Sequence, residues 1–103
     1  MPTFYRAALT DPATAIDFTS NKAKGKARRV DVESEEEWAG ISVYGTERLC
    51  QKKAGDYGLG AYVVEITIPE YGDIRYDRVS PKHCNVWGEP EAFLSYVTKI
   101  VPV

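Results

Sequence analysis

The stretch GISVYGTERLCQKKAG, residues 40–55, decides how this chain is read. Within it, ISVY (41–44) is β-branched or aromatic at three of four positions, and Ile41 and Val43 alternate with Ser42 and Tyr44 at the period of a strand. Gly45 breaks that strand. Thr46 is a strong helix N-cap, and Glu47 follows in the first turn, where the helix dipole favours negative charge. Leu49, Cys50, Lys53 and Ala54 then share one helical face, and Gly55 reads as the residue that ends the helix. A buried strand that runs straight into a helix, with Tyr44 and Thr46 at the junction, sets the theme of the fold.

Working outward, AYVVEITIP (61–69) alternates cleanly. Tyr62, Val64, Ile66 and Ile68 fall on one face, Ala61, Val63, Glu65 and Thr67 on the other, and Pro69 ends the strand. The second face, with Glu65 in its middle, reads as the solvated one. GDIRYDRV (72–79) is a partner strand with Ile74, Tyr76 and Arg78 alternating. PEAFLSY (90–96) forms a helical turn from Pro90, and VTKIVPV (97–103) closes the chain as a strand whose Pro102 marks an edge or an end. Upstream, TFYRAAL (3–9) is the first strand. Asp11-Pro12 opens a short helix whose apolar face carries Ala15, Ile16 and Phe18, and Ser34 with Glu37 form a capping box leading into Trp38. The expectation is a single α+β domain over residues 1–103, with a mixed or antiparallel sheet of about four to six strands and two or three short helices.

Composition bounds the function. At 103 residues the chain can bury one core without cross-links. A net charge of -2 argues against a protein that coats nucleic acid, so nucleic acid is not an expected partner. No apolar run approaches the ~18 residues of a membrane span. The opening MPTFYRAALTDP lacks a charged leader followed by an apolar stretch, which makes the cytoplasm the default expectation. Cys50 and Cys84 are read as free thiols, Cys50 as a small core residue. His83-Cys84 invites a metal reading, but no CxxC or HxxxH spacing supplies further ligands, so no metal is expected. His83 itself reads as a loop or partly buried histidine, and Trp38 and Trp87 as core or core-edge residues. The basic residues of 22–29 and the acidic run 31–37 read as a solvated segment of balancing charge, with 22–33 the most mobile part of the chain.

The order of the polar residues resembles that of small ADP-ribosyltransferase-like domains, including the NAD-degrading RES-type toxins. An arginine lies in the first strand (TFYRAAL), a strand-hydroxyl-helix unit follows (GISVYGTERLCQKKAG), and late glutamates occur in YVVEITIP and WGEPEAFL. The resemblance implies NAD or a related nucleotide as cofactor or substrate. Arg6 would hold phosphate or ribose, Tyr44 would stack on nicotinamide, Thr46 would hydrogen-bond it, and Glu65 or Glu89 would be the catalytic acidic residue. The chemistry is coherent: cleaving an N-glycosidic bond builds positive charge on the ribose, which a fixed carboxylate stabilises. Arginine grips phosphate bidentately, and an aromatic face suits a flat cationic ring.

Each residue also has a structural role open to it. Arg6 can pair with Glu65 or with an acidic residue of 31–37, and Tyr44 can fill core with its hydroxyl at the edge. As a surface arginine, Arg6 would be removable with little loss of stability. The competing function is a small binding or regulatory module that engages a protein partner through segment 22–37 or an apolar groove.

Overall fold

The alternation of residues 61–69 becomes the strand that separates two differently covered faces of a six-stranded sheet. The structure, a computed structural model, describes residues 2–31, 33–70, 72–78 and 83–103, with backbone only for Arg78 and His83. In chain order the elements are β1 (Thr3–Ala8), a 3-10 helix (Ala15–Phe18), α1 (Glu35–Ala39), β2 (Ile41–Tyr44), α2 (Glu47–Tyr57), β3 (Tyr62–Thr67), β4 (Arg75–Arg78), β5 (His83–Trp87), α3 (Pro90–Ser95) and β6 (Val97–Pro102). The strands lie in the order β4-β5-β2-β1-β3-β6, each antiparallel to its neighbours. The domain is α+β, and β6, which carries Pro102, is an edge strand as its proline implies.

Phe4, Ile41, Val43, Val64, Ile66, Cys84 and Val86 form the main core face, which Phe18 of the 3-10 helix and Phe93 of α3 close from above. Those two rings stack with centroids 5.5 Å apart. The opposite face is not solvated as the sequence suggests. The helix α2 lies across β1, β2 and β3 there, and Val63, Cys50 and Ala54 are buried between them. A strand that is apolar on both faces around Val63 and Val64 is the consequence.

Local chemistry fixes the helix ends. Thr46 Oγ1 accepts from Leu49 N at 3.2 Å, starting α2 where the sequence places it. The helix runs on through Gly55 to Tyr57, because Gly58, at φ 62°, supplies the left-handed residue that a stop requires. The capping box of α1 is complete: Glu37 N donates to Ser34 Oγ, and Ser34 N donates to Glu37 Oε1, both at 3.1 Å. The helix expected at Asp11-Pro12 starts later, after Thr14, as a single 3-10 turn; Asp11 and Pro12 are exposed outside it.

One further sequence reading changes. HCNVW is a strand, β5, that pairs with all of β2, so His83 opens a strand rather than lying in a loop. Its side chain, Val32 within 22–33, and residues 79–82 at the end of GDIRYDRV and the start of SPKHCNVWGEP lie outside the described residues. The basic segment is exposed, yet it is tethered: Trp38 Nε1 donates to Lys26 O at 2.7 Å and Lys22 N to Trp38 O at 3.2 Å. Lys22 sits over the Trp38 ring, and Arg75 over that of Trp87, whose Nε1 donates to Glu36 O. Both tryptophans are therefore half-buried core-edge residues that fasten α1 and its flanks. No helix among the described residues is long and apolar enough to cross a membrane.

Removing the cap tests the best-read junction. Thr46→Ala is expected to lower stability by about 1 kcal/mol, read as a lower urea midpoint at unchanged slope; an unchanged midpoint would refute the capping role.

Candidate functional site

Between β1 and β2 the sheet comes apart. The two strands keep register at a single pair, Tyr5 with Tyr44, whereas β1 and β3 are paired from Thr3–Thr67 to Ala8–Tyr62. Beyond Tyr5 the strands part around a cleft of about 290 Å³ lined by Arg6, Ala7, Ser42, Tyr44 and Leu59. Strand alternation sends Arg6 to the core face with Phe4, and Tyr44 to the α2 face with Tyr5. Because no ladder closes the gap between them, both side chains nonetheless line the same cleft.

Arg6 is not the surface arginine that the sequence suggests. Its side chain is half-buried, Nε donates to the carbonyl of Asp17, and Nη1 donates across the gap to Ser42 O at 2.6 Å. It pairs neither with Glu65 nor with residues of the acidic run, and it makes no salt bridge among the described residues. Burial pulls its pKa down, and the nearby Asp17 carboxylate partly offsets this. The guanidinium stays charged all the same, since arginine does not deprotonate in proteins. Lys24 is held below its ordinary value by burial and then by the positive charge of Arg6. No buried side-chain nitrogen or oxygen among the described residues lacks a partner, and Arg6 itself lines the cleft.

Asp17 holds this arginine in place. Its buried carboxylate accepts from Leu9 N at 2.9 Å and from Thr14 N at 2.8 Å, while its carbonyl takes Arg6 Nε. Leu59 reaches the rim because Gly60 packs directly on β1, where a Cβ would meet Ala8 O at 2.5 Å. Burial raises the Tyr44 hydroxyl above its ordinary pKa. Behind it, burial pushes the Cys50 thiol up to about 11 against the opposing charge of Arg6, which keeps it protonated and un-nucleophilic at neutral pH.

The other residues named from the sequence lie elsewhere. Thr46 caps α2 and lines a separate shallow depression with Arg48, Leu49 and Lys52. Glu65 is on the α2 face, its Oε2 accepting from Tyr5 OH at 2.9 Å and its Oε1 from Thr98 Oγ1 at 2.8 Å. Those bonds, with Lys99 nearby, hold its carboxyl below the usual range; burial and the Glu65 contact raise Tyr5. Glu89 precedes α3 at the edge of a second cavity of about 210 Å³ floored by Ile41 and Val86. The 3-10 helix separates that cavity from the cleft: Asp17 faces Arg6, and Phe18 lines the Glu89 side. So the structure brings Arg6 and Tyr44 together and leaves Thr46, Glu65 and Glu89 outside. Sequence reasoning missed Asp17, Ala7, Ser42 and Leu59; only Asp17, three residues after Thr14 like an acidic helix-start residue, carried a local signal.

Among the described residues no three His, Cys, Asp or Glu side chains gather as a metal site. The Cys84 thiol is buried and donates to Asp77 O at 3.1 Å. No family profile, no curated protein and no solved structure matches the chain.

The Glu65 pair gives a pH signature. A carboxyl whose folded pKa is depressed adds stability above its unfolded value of about 4.3 and loses it as pH falls through the folded value. Tyr5→Phe removes one of the two bonds that depress it. The carboxyl titration of Glu65, followed by NMR, is expected to move up toward that unfolded value, with a smaller acid-side loss of stability than in the parent. An unmoved titration would show that the Tyr5 bond contributes nothing.

Proposed function

We propose that this chain binds a nucleotide, NAD or a close relative, with its anionic part on Arg6 and a ring against Tyr44. The observation that carries the reading is the convergence of these two side chains on one cleft, with a half-buried guanidinium that makes no salt bridge among the described residues and whose desolvation the nearby Asp17 carboxylate offsets only in part. A desolvated charge without an ionic partner is costly, and an oxyanion ligand offsets that cost. Arginine with donors to spare suits phosphate oxygens, and the tyrosine ring suits a flat base.

The size of the cleft limits how much it encloses. Ligand pockets usually span roughly 300–1,000 Å³, and this one, at about 290 Å³, holds a ring with its adjacent phosphate rather than a whole dinucleotide. The reading is one of binding. Cleavage at the ribose needs a carboxylate beside the developing charge, and the described residues that line the cleft include no acid.

Thermal shift with NAD tests it. At a concentration 100-fold above the dissociation constant, binding is expected to stabilise the fold by about 2.7 kcal/mol. Ser42→Trp, at an exposed position on the cleft wall, fills the site and is expected to abolish that stabilisation while leaving circular dichroism unchanged. A melting temperature that responds to none of NAD, NADP or AMP overturns the proposal.

A further inference from the structure

The joints of this sheet are unequal. β2 is registered with β5 along its whole length from Ile41–Val86 to Tyr44–His83, and β1 with β3 from end to end, but β1 meets β2 only at Tyr5–Tyr44. The six strands thus form two well-knit halves, β4-β5-β2 and β1-β3-β6, sharing one weak seam. Continued past Tyr5, the register would set Ala7 opposite Ser42, and these two residues instead stand on either side of the cleft. What crosses the gap is Arg6: Nε is anchored to Asp17 O on its own side, and Nη1 reaches Ser42 O on the other.

We propose that the β1–β2 seam is a hinge, pivoting at Tyr5–Tyr44, at which the two halves part and close, and that Arg6 is its clasp. The motion is small and confined to the Ala7–Ser42 end, since α2 packs on β1, β2 and β3 across one face and the core continues across the other. Segments with few backbone bonds open at lower free energy than the global unfolding of the sheet. A ligand seated between the halves bonds to both and suppresses the opening by mass action. This last step rests on the nucleotide reading; the hinge and its clasp do not.

Native-state amide exchange on the full chain tests it, with the amides of 41–44 that face β1, those of Ser42 and Tyr44 on the side where Ser42 O meets Arg6, compared against 62–67. The amides of Ile41 and Val43, which face β5, serve as the control within β2. In the parent protein, the Ser42 and Tyr44 amides are expected to exchange through a local opening that is nearly insensitive to low urea, whereas 62–67 exchange only through global unfolding. Arg6→Lys keeps the charge but loses the two-point grip. It is expected to speed exchange at Ser42 and Tyr44 about tenfold, the loss typical of one hydrogen bond to a charged group, with a smaller change at 62–67. If the Ser42 and Tyr44 amides of the parent share one opening free energy and one urea dependence with 62–67, the hinge is overturned without any variant. If Arg6→Lys raises exchange uniformly or not at all, Arg6 is not the clasp. NAD is expected to slow exchange at Ser42 and Tyr44. Failure of NAD to do so, alongside a local effect of Arg6→Lys, removes the nucleotide and leaves the hinge standing.

Discussion

The carboxylate of Asp17 holds the amides of Leu9 and Thr14, and the carbonyl of the same residue takes the guanidinium of Arg6. Everything distinctive about the cleft depends on this arrangement. The two amide bonds fold the chain leaving β1 back over the sheet and seat the 3-10 helix, whose Phe18 then closes the core against Phe93. The carbonyl bond fixes Arg6 at Nε, so that Nη1 of its fork reaches Ser42 O on the far wall of the cleft. An acidic side chain spent on backbone amides leaves the neighbouring cation without a carboxylate of its own. The positive charge of the cleft is therefore a by-product of how the loop is tied.

Much of the architecture is legible in the sequence because its signals are local. A threonine cap, a reciprocal Ser34–Glu37 box, a period of two through residues 61–68 and an edge proline each depend on neighbours within a few residues, and each stands in the structure where the sequence puts it. The errors come where the decisive partner is distant. HCNVW opens with residues of weak strand propensity, and it is a strand because β2 offers it a complete ladder. Val63 is buried because a helix that ends only at the left-handed Gly58 is long enough to cover it.

The site is less legible for the same reason. Arg6 and Tyr44 stand on strands that pair with each other, and simple alternation would place them on opposite faces and rule out a common pocket. They meet because the ladder stops after one pair, and no short pattern in the chain reports where a ladder stops. Nor does the sequence show that Glu65 is committed to Tyr5 and Thr98, or that the 3-10 helix stands between Arg6 and Glu89. Of the residues that order along the chain suggested as one site, the structure keeps Arg6 and Tyr44 together in one cleft and places both glutamates outside it.

The seam itself follows from connectivity. β1 and β2 are consecutive and adjacent, an arrangement that in a tight hairpin would be the best-registered pair of the sheet. Here residues 9–40 intervene, carrying the 3-10 helix, the basic turn and α1, so no turn geometry sets the register. Register is instead imposed on each strand from its other side, on β1 by β3 and on β2 by β5. Two strands that take their positions from different neighbours have no reason to match, and the mismatch is relieved by parting them beyond Tyr5. A polar staple then spans the gap in place of ladder hydrogen bonds, and arginine is suited to it because one planar group can serve acceptors on both sides and still have donors left over. The long insertion, the loose seam and the charged cleft are thus successive consequences of one constraint: the chain travels far between two strands that must still lie side by side.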